Sequence, residues 1–272
     1  MRWIRSSYRL TYDFLLVGLV LAAGTSSTSH GAVQAPSPVD QETIAKRLLS
    51  EDARERHAAL GAATAIDVAN RGQTLRAALI ALMERHTAIR AQVQQTGGAV
   101  ETFESGEFIA DVQHTVAAME DPQAIPAMAR AMGKFTLLDP LADFGELAAS
   151  DVLAVVTSDA SDHYAVADGL RVLRFMIEGK PKYPLSPDTI ERIRQAAERR
   201  LIGPQYFTTL WYAIDLAAVL NDPGLKATLQ ELATSTGSVS ARGITDPKLI
   251  DQTRRRAADR LAGVPALPHP RR

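Results

Sequence analysis

Apolar residues recur along most of this chain at intervals of three and four, the spacing that lays one side of an α-helix against a core. Ala53 to Ala69 (ARERHAALGAATAIDVA) sets Ala58, Leu60, Ala62 or Ala63, Ile66 and Ala69 on one stripe, with Arg54, Glu55 and Arg56 outside. Thr74 to Val93 repeats the pattern through Leu75, Leu79, Leu82, Met83, Ile89 and Val93, and Gly97-Gly98 is its expected stop. A further helix is expected from about Gly106 to Met119, and His57 and His86 are placed on helix surfaces. Thr208 to Ile214 has strand-forming residues but sits inside a helical apolar pattern, so it is read as helix. No segment reads as a clear strand. The prediction is an all-α protein.

Helix starts are marked by aspartate followed by proline at Asp121-Pro122, Asp139-Pro140, Asp222-Pro223 and Asp246-Pro247. The carboxylate accepts from free amides of the first turn, and proline gives up only an amide that has no partner there. Ser150, Ser161 or Asp162, and Ser186 before Pro187 are weaker starts of the same kind. Counting starts and stops predicts about eleven or twelve helices. Ser235 to Gly243 (STGSVSARG) is small and polar and is read as a connector.

Four segments look alike, around Asp52, Asp121, Asp159 and Asp222. Each is an apolar helix end, a polar turn with aspartate, and then another helix. These aspartates lie 69, 38 and 63 residues apart. The middle interval is read as one two-helix unit and the outer ones as two short units each. Such units bury their apolar faces only by stacking on neighbours. The segments Leu48 to Ile66 (LLSEDARERHAALGAATAI) and Ala118 to Gly133 (AMEDPQAIPAMARAMG) resemble the HEAT-like helical repeat family. The resemblance extends over about half of the chain after its N-terminal segment. It implies stacked antiparallel helix pairs forming an α-solenoid, and binding or scaffolding with no particular catalytic residues. An irregular helical bundle is the alternative arrangement.

The ends differ from this body. Arg2, Arg5 and Arg9 precede an apolar run from Phe14 to Ala23 (FLLVGLVLAA), followed by small and polar residues. That is the layout of a secretory signal, and the run is shorter than the roughly 20 apolar residues of a membrane span. Residues 1–31 are therefore assigned as a signal peptide, with Ala22-Ala23-Gly24 and Val33-Gln34-Ala35 as possible processing sites. The protein is expected to be exported, periplasmic or secreted. An uncleaved anchor is the alternative, and the expected route to a membrane. Residues 32–40 form a proline-containing linker, 41–262 the helical-repeat domain, and 263–272 a proline and arginine tail expected to be disordered.

Composition narrows the functional classes. The 272 residues carry 30 basic and 31 acidic side chains, a net charge of −1, which argues against a generally basic nucleic-acid binder. With no cysteine there are no disulfides, thiolate zinc sites or cysteine nucleophiles. Charge is segregated all the same, at −11 from Glu101 to Asp168 and +5 from Ala241 to Arg272. Arg254, Arg255, Arg256 and Arg260 sit on the last helix, where a polar outer face on the closing helix is the plainer reading; contacts for cell-wall or membrane polyanions are the alternative.

The chain lacks a phosphate-binding loop, GxGxxG, HExxH, GxSxG and SxxK. No catalytic residue, metal ligand or cofactor is assigned. Three looser groupings remain. Glu107, Asp111 and His114 share a face of the expected 106–119 helix. Asp159, Asp162 and His163 cluster at a turn. Tyr206, Phe207, Trp211 and Tyr212 crowd one helix, with Tyr183 in the loop before. Phe207 and Trp211, four apart, suit a core; lining a groove, the four rings would instead be contacts for a peptide or carbohydrate. The function expected from these residues is a non-enzymatic exported scaffold that binds a protein or peptide. The alternatives are an envelope-polymer hydrolase or lyase with a dispersed acidic site, and a polyanion-binding module using the C-terminal arginines.

Overall fold

A computed structural model of the protein describes residues 37–96, 104–133 and 138–265, all within one compact unit, Ala35–Arg272. The expected signal at 1–31, the first part of the linker, Gly97-Gly98 and residues 266–272 of the tail lie outside the described residues. Those described are all-α, with no strand among them.

Thirteen α-helices follow one another among the described residues: α1 (Pro38–Leu48), α2 (Ala53–Ala65), α3 (Gln73–Thr96), α4 (Gly106–Ala118), α5 (Ile125–Arg130), α6 (Leu138–Phe144) and α7 (Glu146–Thr157), then α8 (His163–Glu178), α9 (Pro187–Ile202), α10 (Phe207–Leu220), α11 (Pro223–Thr234), α12 (Thr236–Ser240) and α13 (Pro247–Leu261). Single 3₁₀ turns at Val68–Asn70 and Pro122–Ala124 precede α3 and α5. Each helix packs mainly on helices no more than three places away in the chain. The pairs α1/α2, α3/α4, α5/α6, α7/α8, α9/α10 and α11/α13 stack in order. Their first members form one row, α1-α3-α5-α7-α9-α11, and their second members another, α2-α4-α6-α8-α10-α13. The second row is tight from α6 onward but loose between α2, α4 and α6. Near-neighbour contact of this kind is how stacked helix pairs share a core that none could build alone. Leu79, Leu82, Val152, Leu170, Ile193 and Ile214 lie at its centre, fully buried.

The caps explain where the chain turns. Ser37 and Asp40 form a reciprocal capping box at the start of α1. Asp52, Asp162, Ser186, Asp222 and Asp246 each accept from a first-turn amide of the helix that follows. Several expectations need correction. Regular structure begins at Pro38 rather than near Gln41. Asp139 lies within the first turn of α6, which starts at Leu138, and Ser150 lies inside α7. The segment 235–243 is not a plain connector, because Ser235 caps the short helix α12. The intervals between the four aspartates do not enclose whole pairs. Each encloses three helices, so Asp52 and Asp159 sit within pairs while Asp121 and Asp222 join one pair to the next.

The inner face of α2 also differs from its expected stripe. Ala59, Leu60, Ala63 and Ile66 are buried, whereas Ala58 and Ala69 are exposed and Arg56 points inward. An alanine-rich helix has little periodic contrast, so its partners choose its face. Here Arg56 turns in because Glu104, buried before α4, accepts its guanidinium, with Nε 2.7 Å from Oε1. His86 is likewise a core residue, 6% exposed, continuing the α3 face of Leu75, Leu79, Leu82 and Met83.

Candidate functional site

Two openings along the second row collect most of the residues singled out from the sequence. The first, of about 400 Å³, lies where three turns meet: α7 to α8, α9 to α10, and α12 to α13. Buried arginines hold these turns. Arg200 donates from Nε to the Val156 carbonyl (2.8 Å) and from Nη2 to that of Ser158 (3.0 Å), satisfying carbonyls at the end of α7 that have no helical partner. Arg242 does the same for Leu201 at the end of α9, at 2.6 Å, and its own carbonyl accepts from the Gln205 amide at 2.8 Å.

Asp162 caps α8 through the Tyr164 amide (2.8 Å), which places His163 at the first helical position. The His163 ring lies between Tyr164 and Tyr206, with centroids 4.0 and 4.1 Å away. Its Nε2 is buried without a hydrogen-bond partner. Both tyrosines are open to solvent, Tyr164 at 50% and Tyr206 at 45%. Ring contact continues from Tyr206 through Phe207 to Trp211. The structure thus joins two sequence groupings, the Asp159–His163 turn and the α10 aromatics, at one groove. Arg200, which lines it, and Tyr164, packed on His163 beside it, carry no signal in the sequence. Neither falls in a motif: the meeting of α8 with the start of α10 brings Tyr164 there, and the packing of α9 on the end of α7 brings Arg200.

The other α10 rings face elsewhere. Trp211 is half-buried and donates from Nε1 to the Thr253 hydroxyl of α13 at 2.8 Å. Tyr212 lies between Arg171 and Arg256, 5.2 and 5.7 Å from its centroid. Tyr183 stays apart on the α8–α9 connection, exposed, its carbonyl accepting from the Glu146 amide at 2.9 Å.

The carboxylates of this groove have structural partners. Both Asp159 oxygens accept from Arg199, at 2.8 and 2.9 Å, while Asp162 serves the cap. The α13 arginines separate into three directions. Arg256 and Arg260 turn in upon the buried Asp215, Arg254 reaches the Ala233 carbonyl at the end of α11, and Arg255 pairs with Asp251 in solvent.

The second opening, of about 590 Å³, separates α2 from α4. Glu107, Asp111 and His114 line one side, as their spacing requires. His57 lies opposite, half-exposed, stacked on Phe108 (centroids 4.1 Å) and 2.9 Å from Glu104. Burial opposes ionisation of Glu104, yet hydrogen bonds from His57 and Arg56 outweigh it and hold the carboxyl below its ordinary range. Among the described residues no group of three or more His, Asp or Glu side chains is placed to hold a metal ion. Among them, too, no helix is long and apolar enough to cross a membrane. Comparison with family models, with curated proteins and with solved structures returns no match to this chain.

Proposed function

We propose that this protein is an exported, non-enzymatic scaffold of HEAT-like stacked helix pairs, which binds an extended peptide or protein segment at the Tyr206 groove. The observation that carries the reading is the clasp of His163 between two solvent-exposed tyrosines beside a cleft of about 400 Å³. Flat rings offer a large apolar area with little conformational entropy to lose on binding. Gln205, Ser158 and Ser161 at the same cleft add groups that hydrogen-bond a peptide backbone. Asp159 and Asp162 are already engaged, by Arg199 and by the α8 cap, which favours binding over acid–base chemistry at this turn. Export rests on the charged, apolar and small-residue order within 1–31.

A displayed library of random extended peptides tests the reading. Selected peptides should bind the full chain and lose about tenfold or more in affinity to the Tyr206→Ala and Tyr164→Ala variants, whose thermal melts stay close to the parent. Failure to select any binder, or binders indifferent to both substitutions, overturns it. A reporter enzyme active only after export, fused behind residues 1–35, tests the location.

A further inference from the structure

We propose that the slot between α2 and α4 receives residues 265–272 of a second copy of this chain, giving head-to-tail association. This site is separate from the Tyr206 groove and does not depend on it. Further along the second row, α8 packs on α10 and α10 on α13; α2 and α4 barely touch, which leaves the slot. Its apolar lining is Leu60 and Phe108, both buried, and the exposed Ala118. Gly61 borders open space, since a Cβ built there meets nothing within 4 Å. Along the rim, Glu107 and Asp111 are exposed one helical turn apart. Arg71 lies buried at one end, its guanidinium directed to the carbonyls of Ile66 (3.2 Å) and Thr115 (3.3 Å), so the exposed charged groups at the rim are the two carboxylates.

The occupant must bring apolar groups and positive charge on an extended backbone. Segment 265–272 (PALPHPRR) has Leu267, three prolines, two arginines and no acidic residue. A proline-rich sequence has few conformations to lose, so docking it in extended form costs little entropy. Arg271 and Arg272 can then meet Glu107 and Asp111 as charge-assisted pairs. This matches the wider segregation, −11 over 101–168 against +5 over 241–272.

Reach decides between the chain's own slot and that of a neighbour. Three second-row helices, α6, α8 and α10, stand between α4 and α13, on the order of 35 Å at ordinary helix spacing. The seven residues after Pro265 span about 22 Å when extended. Arg260 also restrains the point of departure, donating from Nη1 to the Val264 carbonyl at 2.8 Å. The occupied slot therefore belongs to another copy. A contact between unlike surfaces of identical chains closes into a ring or grows as a row.

Sedimentation of the full chain over a wide concentration range, at low and high salt, tests this. Association should appear at low salt and fall about tenfold in Arg271→Glu/Arg272→Glu and in Glu107→Lys/Asp111→Lys. Combining the two reversals should restore it. Gly61→Trp, which fills the slot, should abolish it, while Gly61→Ala should leave it unchanged. A monomer at every concentration overturns the proposal, and so does association that ignores the reversals. Loss with Gly61→Trp but not with the tail reversal means another occupant and equally overturns it.

Discussion

Asp215 of α10, only 1% exposed, is bound by Arg256 of α13, whose Nε lies 3.0 Å from Oδ1. It does not serve Arg256 alone. Arg260 donates to the same oxygen at 2.7 Å, and Arg174 of α8 stands 3.8 Å from Oδ2. One buried carboxylate thus offsets guanidinium groups from two helices and fastens the last pair to the stack. Removing the partner of buried charges is far more costly than losing a surface pair. Asp215→Asn should therefore lower the unfolding free energy by about 3–5 kcal/mol. Arg255→Gln, in the exposed pair, should change it by less than about 1 kcal/mol. Urea unfolding measures both, and equal effects would refute the argument.

Two helical glycines respond oppositely to alanine. A Cβ at Gly61 meets open space, so Gly61→Ala should stabilise by about 0.5–1 kcal/mol through reduced freedom of the unfolded chain and better helix propensity. At Gly169 it would stand 2.5 Å from Val156 Cγ2, where α8 crosses α7. Gly169→Ala should cost about 1–3 kcal/mol as the crossing is forced apart. Thermal unfolding of the pair checks the difference in sign.

His86 makes stability depend on acidity. Burial lowers its pKa from 6.5 to about 4; Glu104 acts in the opposite sense, while Arg56, Arg85 and His57 reinforce the fall. The unfolded chain takes up a proton that the fold refuses. This contribution is complete above pH 6.5 and is lost as pH falls towards 4, at most about 3 kcal/mol. His86→Leu should flatten the stability profile across that window. Glu104, held below its ordinary range, adds a loss that sets in as pH falls past 4.5 and continues below it. An unchanged slope between pH 6.5 and 4 in the leucine variant would exclude His86 as its source.

Arg200 should not be replaceable by lysine. Its planar fork serves the carbonyls of Val156 and Ser158 together, and an ammonium on a flexible stem cannot match both. Arg200→Lys should cost about 1–3 kcal/mol and speed amide exchange in the turn 158–162. Equal exchange rates would show that the turn holds itself.

How much could be read beforehand depends on distance along the chain. The helices were legible because period and cap act within a few residues: Asp162, Ser186, Asp222 and Asp246 begin helices as their side chains dictate. The shared face of Glu107, Asp111 and His114 follows from spacing alone. The local pattern puts Arg56 and His86 outside because the long-range neighbours that draw them in do not appear in it. Arginine is hard to place in this way, since it can run an apolar stem inward and still satisfy its charge on carbonyls or a carboxylate.

Local order along the chain determined an all-α protein of many short capped helices, an apolar segment near its start, and segregated charge. Tertiary packing decided that α2 and α4 stand apart while α8 and α10 close. It also turned Arg256 and Arg260 onto Asp215, and brought Tyr164, His163 and Tyr206 to one groove. Helix formation depends on neighbours three and four residues away, whereas each of these outcomes depends on residues about forty or more apart, whose meeting is fixed only when the pairs stack.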